Sequence, residues 1–151
     1  MFTSGTYIGL DIHKRGVYIT EMKEDESVDE QYEIKNDDGS WNTFRERYLG
    51  AKPGIALEVS TTGKYVARLL ADNGFKVHLA NPKALKIIFK SAKKTDKNGA
   101  SNLAKLLRLG ELPESYLPSR EVDDIRSVIR YRRSLAEEST QVKNRVHALL
   151  A

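Results

Sequence analysis

The hydrophobic period of this chain changes once, near residue 40, and that change limits the folds open to it. Before it, short apolar runs follow one another closely. TYIGLD, residues 6–11, reads as a buried strand. A turn around residues 13–16 leads into VYITEM, residues 17–22, whose alternation fits an antiparallel hairpin partner. EDESVDE, residues 24–30, is acidic and reads as a loop, and QYEI, residues 31–34, supplies a third strand. After it, helices and strands alternate. Ser40 is placed to cap a helix whose apolar side is Trp41, Phe44 and Tyr48. GIALEV, residues 54–59, is a short apolar strand. Thr61 or Thr62 then caps a helix carrying Tyr65, Val66, Leu69 and Leu70, which Asn73-Gly74 closes. FKVHLA, residues 75–80, is a further strand, and Pro82 begins a helix with Leu85, Ile88 and Phe89 on one side. A meander followed by βαβ units predicts an α/β domain: a mixed sheet with helices on both faces.

Beyond this lies a helix over residues 96–109, with Leu103, Leu106 and Leu107 apolar. GELPESYLPS, residues 110–119, carries two prolines and reads as a linker. From Arg120 onward one long helix is expected. Ile125, Val128, Arg132, Leu135, Ser139, Val142, Val146 and Leu149 fall at alternating steps of three and four. That is a heptad seam with two polar interruptions, expected as a coiled-coil arm through which copies of the chain associate. A single helix packed on the domain is the alternative. The expected organisation is a domain over 1–109, a linker over 110–119 and a helical segment over 120–151, a pattern still running at its last residue and so read as part of something longer.

Composition narrows the functional classes. A chain of 151 residues can bury one real core. It has no apolar run of the roughly 18 residues a membrane span needs. Asp11 and His13 interrupt its one early apolar stretch, so no signal peptide is read there. Without cysteine there is neither a disulfide framework nor a thiolate metal site. A cytoplasmic, membrane-free protein is the expectation. The formal charge is only +4, but its distribution is uneven. Between Pro82 and Arg108 stand Lys83, Lys86, Lys90, Lys93, Lys94, Lys97, Lys105 and Arg108 against a single acid, Asp96. A nucleic-acid backbone is the commonest partner for such a patch, and a solvated helix face is the plainer reading.

Three acids stand out by position. Asp11 ends an otherwise apolar strand, and Glu58 lies inside another. A carboxylate amid apolar neighbours is costly to desolvate unless it is paired or binds a cation. Adjacent strands would bring Asp11 and Glu58 side by side, and a divalent cation such as Mg²⁺ suits oxygen ligands of this kind. A strand-end turn for Asp11 and an ion pair for Glu58 are the structural alternatives. Asp96 begins a helix within KKTDKNGA, where it can cap that helix or face the strand acids. With lysines holding the backbone, such a centre would act on a phosphodiester. His13 and His78 fit no obvious ligand pattern and are read as non-catalytic. Ser60, Thr61 and Thr62 suit helix caps better than nucleophiles. No phosphate-binding glycine loop of the P-loop kind is present.

Taken together, YIGLDIHK, ALEVSTTG and KKTDKNGASNLAKLL resemble the three acidic motifs of the DEDD transposases, the insertion-sequence recombinases related to the pilin-gene invertase. GFKVHLANPKALK and IRYRRSLAEESTQVKNRVHALL match the family's intervening and following segments, so the resemblance covers nearly the whole chain. It implies an RNase H-like (RuvC-like) fold and DNA strand cleavage and transfer with divalent metal, Mg²⁺ or Mn²⁺, as catalytic and metal-binding cofactor. It also implies a structured guide RNA, and a second domain with a nucleophilic serine. Asp11, Glu58 and Asp96 match the first three acids. The fourth acid would follow the third by three residues, one helical turn later on the same face, and that position is Gly99. Glycine inside a helix costs about 1 kcal/mol relative to alanine. Asn98 and Asn102 are near but uncharged. Inactivation, a site with fewer ligands, and substitution by a nearby acid all remain open.

The expectation is therefore the DNA-cleavage domain of a transposase. A catalytically impaired nucleic-acid-binding and dimerisation module is a second reading, separated by metal-dependent nicking. A RuvC-like junction resolvase is a third, and an actin-like ATPase a fourth, weakened because DIHKR lacks the glycine-rich phosphate loop that fold needs.

Overall fold

The short strands and amphipathic helices assemble as the periodicity requires. The computed structural model describes residues 5–89 and 96–150, with only the backbone for Asp96 and Lys97. Its contacts divide the chain into two units, Met1–Tyr116 and Leu117–Ala151. The first contains β1 (Thr6–Ile12), β2 (Gly16–Lys23), β3 (Val28–Lys35), α1 (Asp38–Tyr48), β4 (Gly54–Glu58), α2 (Thr61–Asp72), β5 (Lys76–Ala80), α3 (Pro82–Ile88), α4 (Asp96–Leu109) and β6 (Glu114–Ser115). The strands form one sheet in the order β3-β2-β1-β4-β5-β6. β1, β2 and β3 pair antiparallel as a meander, while β1–β4 and β4–β5 are parallel. This is a mixed α/β, RNase H-like architecture.

Pairing register assigns the faces. Residues opposite one another across a ladder share a face, and each strand alternates along its length. Tyr7, Ala56 and Ala80 cluster with Leu85 of α3 and Leu103, Leu106 and Leu107 of α4. Gly9 and Thr20 share that face, because Gly9 pairs with both Thr20 and Ala56. Ile8, Leu10, Ile19, Ile55 and Leu57, all fully buried, lie on the other. There α1 supplies Trp41, Phe44 and Tyr48 and α2 supplies Val66, Ala67 and Leu70.

Several local details differ from expectation. Asp37, not Ser40, caps α1, accepting the Ser40 amide at 2.8 Å. Ser60, one residue before the expected threonines, caps α2 by accepting from the Gly63 amide. In both cases a nearby residue with a short polar side chain already has the extended backbone a cap needs. The acidic stretch is a shorter loop than its charge suggests, because Val28–Glu30 continue β3 along β2. Its acids are tied down. Arg108 donates to the Glu24 carbonyl and pairs with Glu26, and Tyr7 donates to Glu24 at 2.8 Å. Part of the stretch expected as a linker joins the sheet: Glu114–Ser115 pair with β5, and Leu112 enters the α4-side core.

The second unit contains α5, Arg120–Leu150, a helix of 31 residues that buries none of them. Ile125, Val128, Leu135, Val142, Val146 and Leu149 of the expected seam are all exposed. No helix among the described residues is long and apolar enough to cross a membrane.

Candidate functional site

β1 and β4 run parallel at the centre of the sheet, with Gly9 opposite Ala56 and Leu10 opposite Leu57. One further step along that register sets Asp11 opposite Glu58, both at the carboxyl ends of their strands. Glu58 also pairs with Ala80, which lies in the α4-side core, so both acids sit on the face that α4 covers. The pairing the sequence predicted for these strands is present. Two carboxylates held this way repel one another, and a cation relieves that repulsion.

What brings α4 to them is a pair of glycines. A Cβ on Gly9 would stand 2.8 Å from the Ala104 nitrogen and closer still to the Ala100 carbonyl oxygen, so only glycine allows β1 and α4 this close. Two residues further along the same face of β1, a Cβ on Gly99 would stand 3.0 Å from the Asp11 Cγ and closer still to Oδ2. The start of α4 is thus seated directly on the Asp11 carboxylate. Asp96 is the first residue of α4, one turn before Gly99 on the same helical face. Its side chain lies outside the described residues.

The structure adds two neighbours that sequence reasoning missed. His13 Nε2 is 3.5 Å from Asp11 Oδ1, with the imidazole half-exposed and the aspartate only 18% exposed. Its i, i+2 spacing from Asp11 was the available signal, hidden because His13 falls where the chain leaves β1 for the hairpin. Tyr18 of β2 pairs directly with Asp11 on the side away from Glu58. His78, read as non-catalytic, contacts Glu114 at 2.5 Å.

The basic residues divide. Lys83 and Lys86 of α3 and Lys105 of α4 are exposed. Lys90, Lys93 and Lys94, and the side chain of Lys97, lie outside the described residues. Arg108 is engaged with the β2–β3 loop, its side chain 13% exposed and paired with Glu26.

Oxygen ligands on two adjacent strand ends, with a third acid at the start of the covering helix, suit a hard divalent cation. Among the described residues no three His, Asp or Glu side chains converge as a complete metal cluster. The donor set is the kind one such ion takes, with its other ligands to come from outside the described side chains. It does not offer a second full set, because Gly99 contributes no side chain.

Together these features define an RNase H-like domain with carboxylates at the middle of its sheet. The family model DEDD_Tnp_IS110, described as a transposase, matches residues 8–151, and the chain belongs to that family of DEDD transposases. Its class of activity is therefore DNA transposition, with the divalent-metal dependence and DNA partner that family membership suggests. No curated protein matches the chain.

Proposed function

We propose that residues 1–109 are the DNA-cleavage and strand-transfer domain of this transposase, with Asp11, Glu58 and Asp96 as its metal-binding and catalytic acids. What supports the reading is the parallel register of β1 and β4, with Leu10 opposite Leu57 one step before the two acids, and the seating of Gly99 against the Asp11 carboxylate. The cation, Mg²⁺ or Mn²⁺, would supply a water or hydroxyl nucleophile and charge for the leaving oxygen. The protein's own part would be to hold the strand-end carboxylates close, and to keep the face beyond them open to a phosphodiester. Lys83, Lys86 and Lys105, with Lys90, Lys93, Lys94 and Lys97, would neutralise DNA or guide-RNA phosphates beside it. Arg108 is a weaker member of that set because its guanidinium already has partners. The residues that follow β6 would link this domain to the arm, since Glu114–Ser115 belong to the sheet. Copies would associate in the cytoplasm through the apolar seam of α5, whose exposure also favours the second reading, a binding and dimerisation module.

The test is nicking of supercoiled plasmid with Mn²⁺ or with EDTA, with the guide RNA absent or present. Metal-dependent nicking that Asp11→Asn and Glu58→Gln abolish supports the cleavage domain. DNA binding without nicking in either variant or parent leaves the binding module as the correct reading.

A further inference from the structure

We infer that the carboxylate centre of this chain holds one divalent cation and not a pair, because Gly99 supplies no ligand there and an oxygen of Asp11 takes up the space. The inference rests on the proposed role of Asp11, Glu58 and Asp96.

Two ions about 3.5–4 Å apart form the symmetric clamp on attacking and leaving oxygens. Holding them requires a central carboxylate that gives one oxygen to each ion, and further carboxylates on both sides. Asp11 has the central place, flanked by Glu58 across the parallel ladder and by α4 above. Its two oxygens are not equivalent. Oδ2 is buried, pressed toward the α4 backbone at Gly99 in the space a Cβ would take. Oδ1 faces the other way, 3.5 Å from His13 Nε2. Of the two oxygens, only Oδ1 lies outside that recess.

The same glycine removes a ligand and creates the recess. Position 99 lies on the α4 face that looks onto Asp11, where a side chain of two or three heavy atoms would reach the centre. Without one, the aspartate folds into the vacated volume. A carboxylate placed at position 99 would reverse both effects, evicting Oδ2 from its recess and adding a ligand. Alanine would evict Oδ2 and add nothing. The clash is with the end of a side chain, not with backbone, so both substitutions are accommodated by rotation of Asp11.

The experiment is Mn²⁺ titration of the full chain by calorimetry, with electron paramagnetic resonance of the loaded protein. The parent is expected to bind one ion with a mononuclear six-line spectrum. Gly99→Asp is expected to bind two, with the exchange-coupled spectrum of a close pair, while Gly99→Ala stays at one. Two ions in the parent, or two in Gly99→Ala, would overturn the inference, and the parent result stands even if a variant fails to fold. One ion in a correctly folded Gly99→Asp would overturn it as well. No Mn²⁺ bound by parent, Gly99→Asp or Asp11→Asn would instead sink the carboxylate centre itself, and binding unchanged by Asp11→Asn would do the same.

Discussion

The two faces of the sheet are built by opposite rules. Beneath α1 and α2 the strands present Ile8, Leu10, Ile19, Ile55 and Leu57, large side chains that fill the space to the helices with apolar volume. Beneath α4 they present Tyr7 and Met22 at one end, then Gly9, Thr20, Ala56 and Ala80, and beyond these the two acids. Small residues lower the helix until its backbone touches β1, and Leu103, Leu106 and Leu107 close the core further along. The first face is stabilised by area removed from water at roughly 25 cal/mol per Å². The second gives up part of that area to place the start of a helix on a carboxylate. The difference teaches that residue size on the sheet sets helix height, and helix height decides which polar groups meet.

The sharpest way to break the comparison is Gly9→Val. On the α4 face the branched side chain meets backbone that cannot move aside, and we expect loss of cooperative unfolding, at a cost of about 3 kcal/mol or more. On the opposite face Ile55→Val should cost only about 1 kcal/mol. Urea denaturation followed by circular dichroism measures both, and equal costs would erase the asymmetry.

Most of the sheet is legible in the residues alone. Alternation in TYIGLD and VYITEM, and the apolar run GIALEV, carry strand identity locally, because side-chain direction has a period of two. Asp11 and Glu58 are legible for the same reason, as charges in segments with no other use for them. The caps fall one to three residues from where the pattern puts them, since Asp37, Ser40, Ser60 and Thr61 are chemically similar and backbone conformation selects among them. β6 escapes the pattern because two residues between prolines carry no periodicity. His13 escapes it because it falls just past the end of β1, where the alternation stops.

A second prediction sharpens the contrast by charge. If the acids under α4 are kept for function, removing one should stabilise the metal-free chain. Asp11→Asn is expected to raise stability in EDTA by about 1 kcal/mol, through relief of repulsion with Glu58. It should also remove any gain in stability on adding Mn²⁺. A loss of stability in EDTA would mean that the carboxylate serves the fold.

The smallest effect lies at the far corner, where α1 meets β2 and β3. Tyr48 donates to Glu21 at 2.8 Å, Tyr32 and Tyr48 share a hydrogen bond, and Arg47 stacks over both rings. Burial is the main cause that raises both phenols above the ordinary tyrosine value, and the bond to Glu21 adds to it for Tyr48. Groups raised in the folded state keep their protons while the unfolded chain begins to lose them near pH 10. The stability they contribute is therefore intact below about pH 10 and falls as pH rises beyond it. Denaturation midpoints at pH 8 and pH 10.5 should separate, and Tyr48→Phe should narrow the gap. An unchanged gap would remove this corner from the pH response.

By itself the sequence determined the strands, the helices, the mixed order of the sheet and the acids worth watching. Each of these is written in local periodicity or in the cost of burying a lone charge. Tertiary structure alone decided which residues of β1 and β4 stand opposite one another, and that Gly99 lies against the Asp11 carboxylate. Those facts depend on strand register and on the height of α4 above the sheet. Both are fixed by contacts between residues far apart in the chain, Gly9 with Ala100 and Ala104 and Asp11 with Gly99, and no local pattern encodes them.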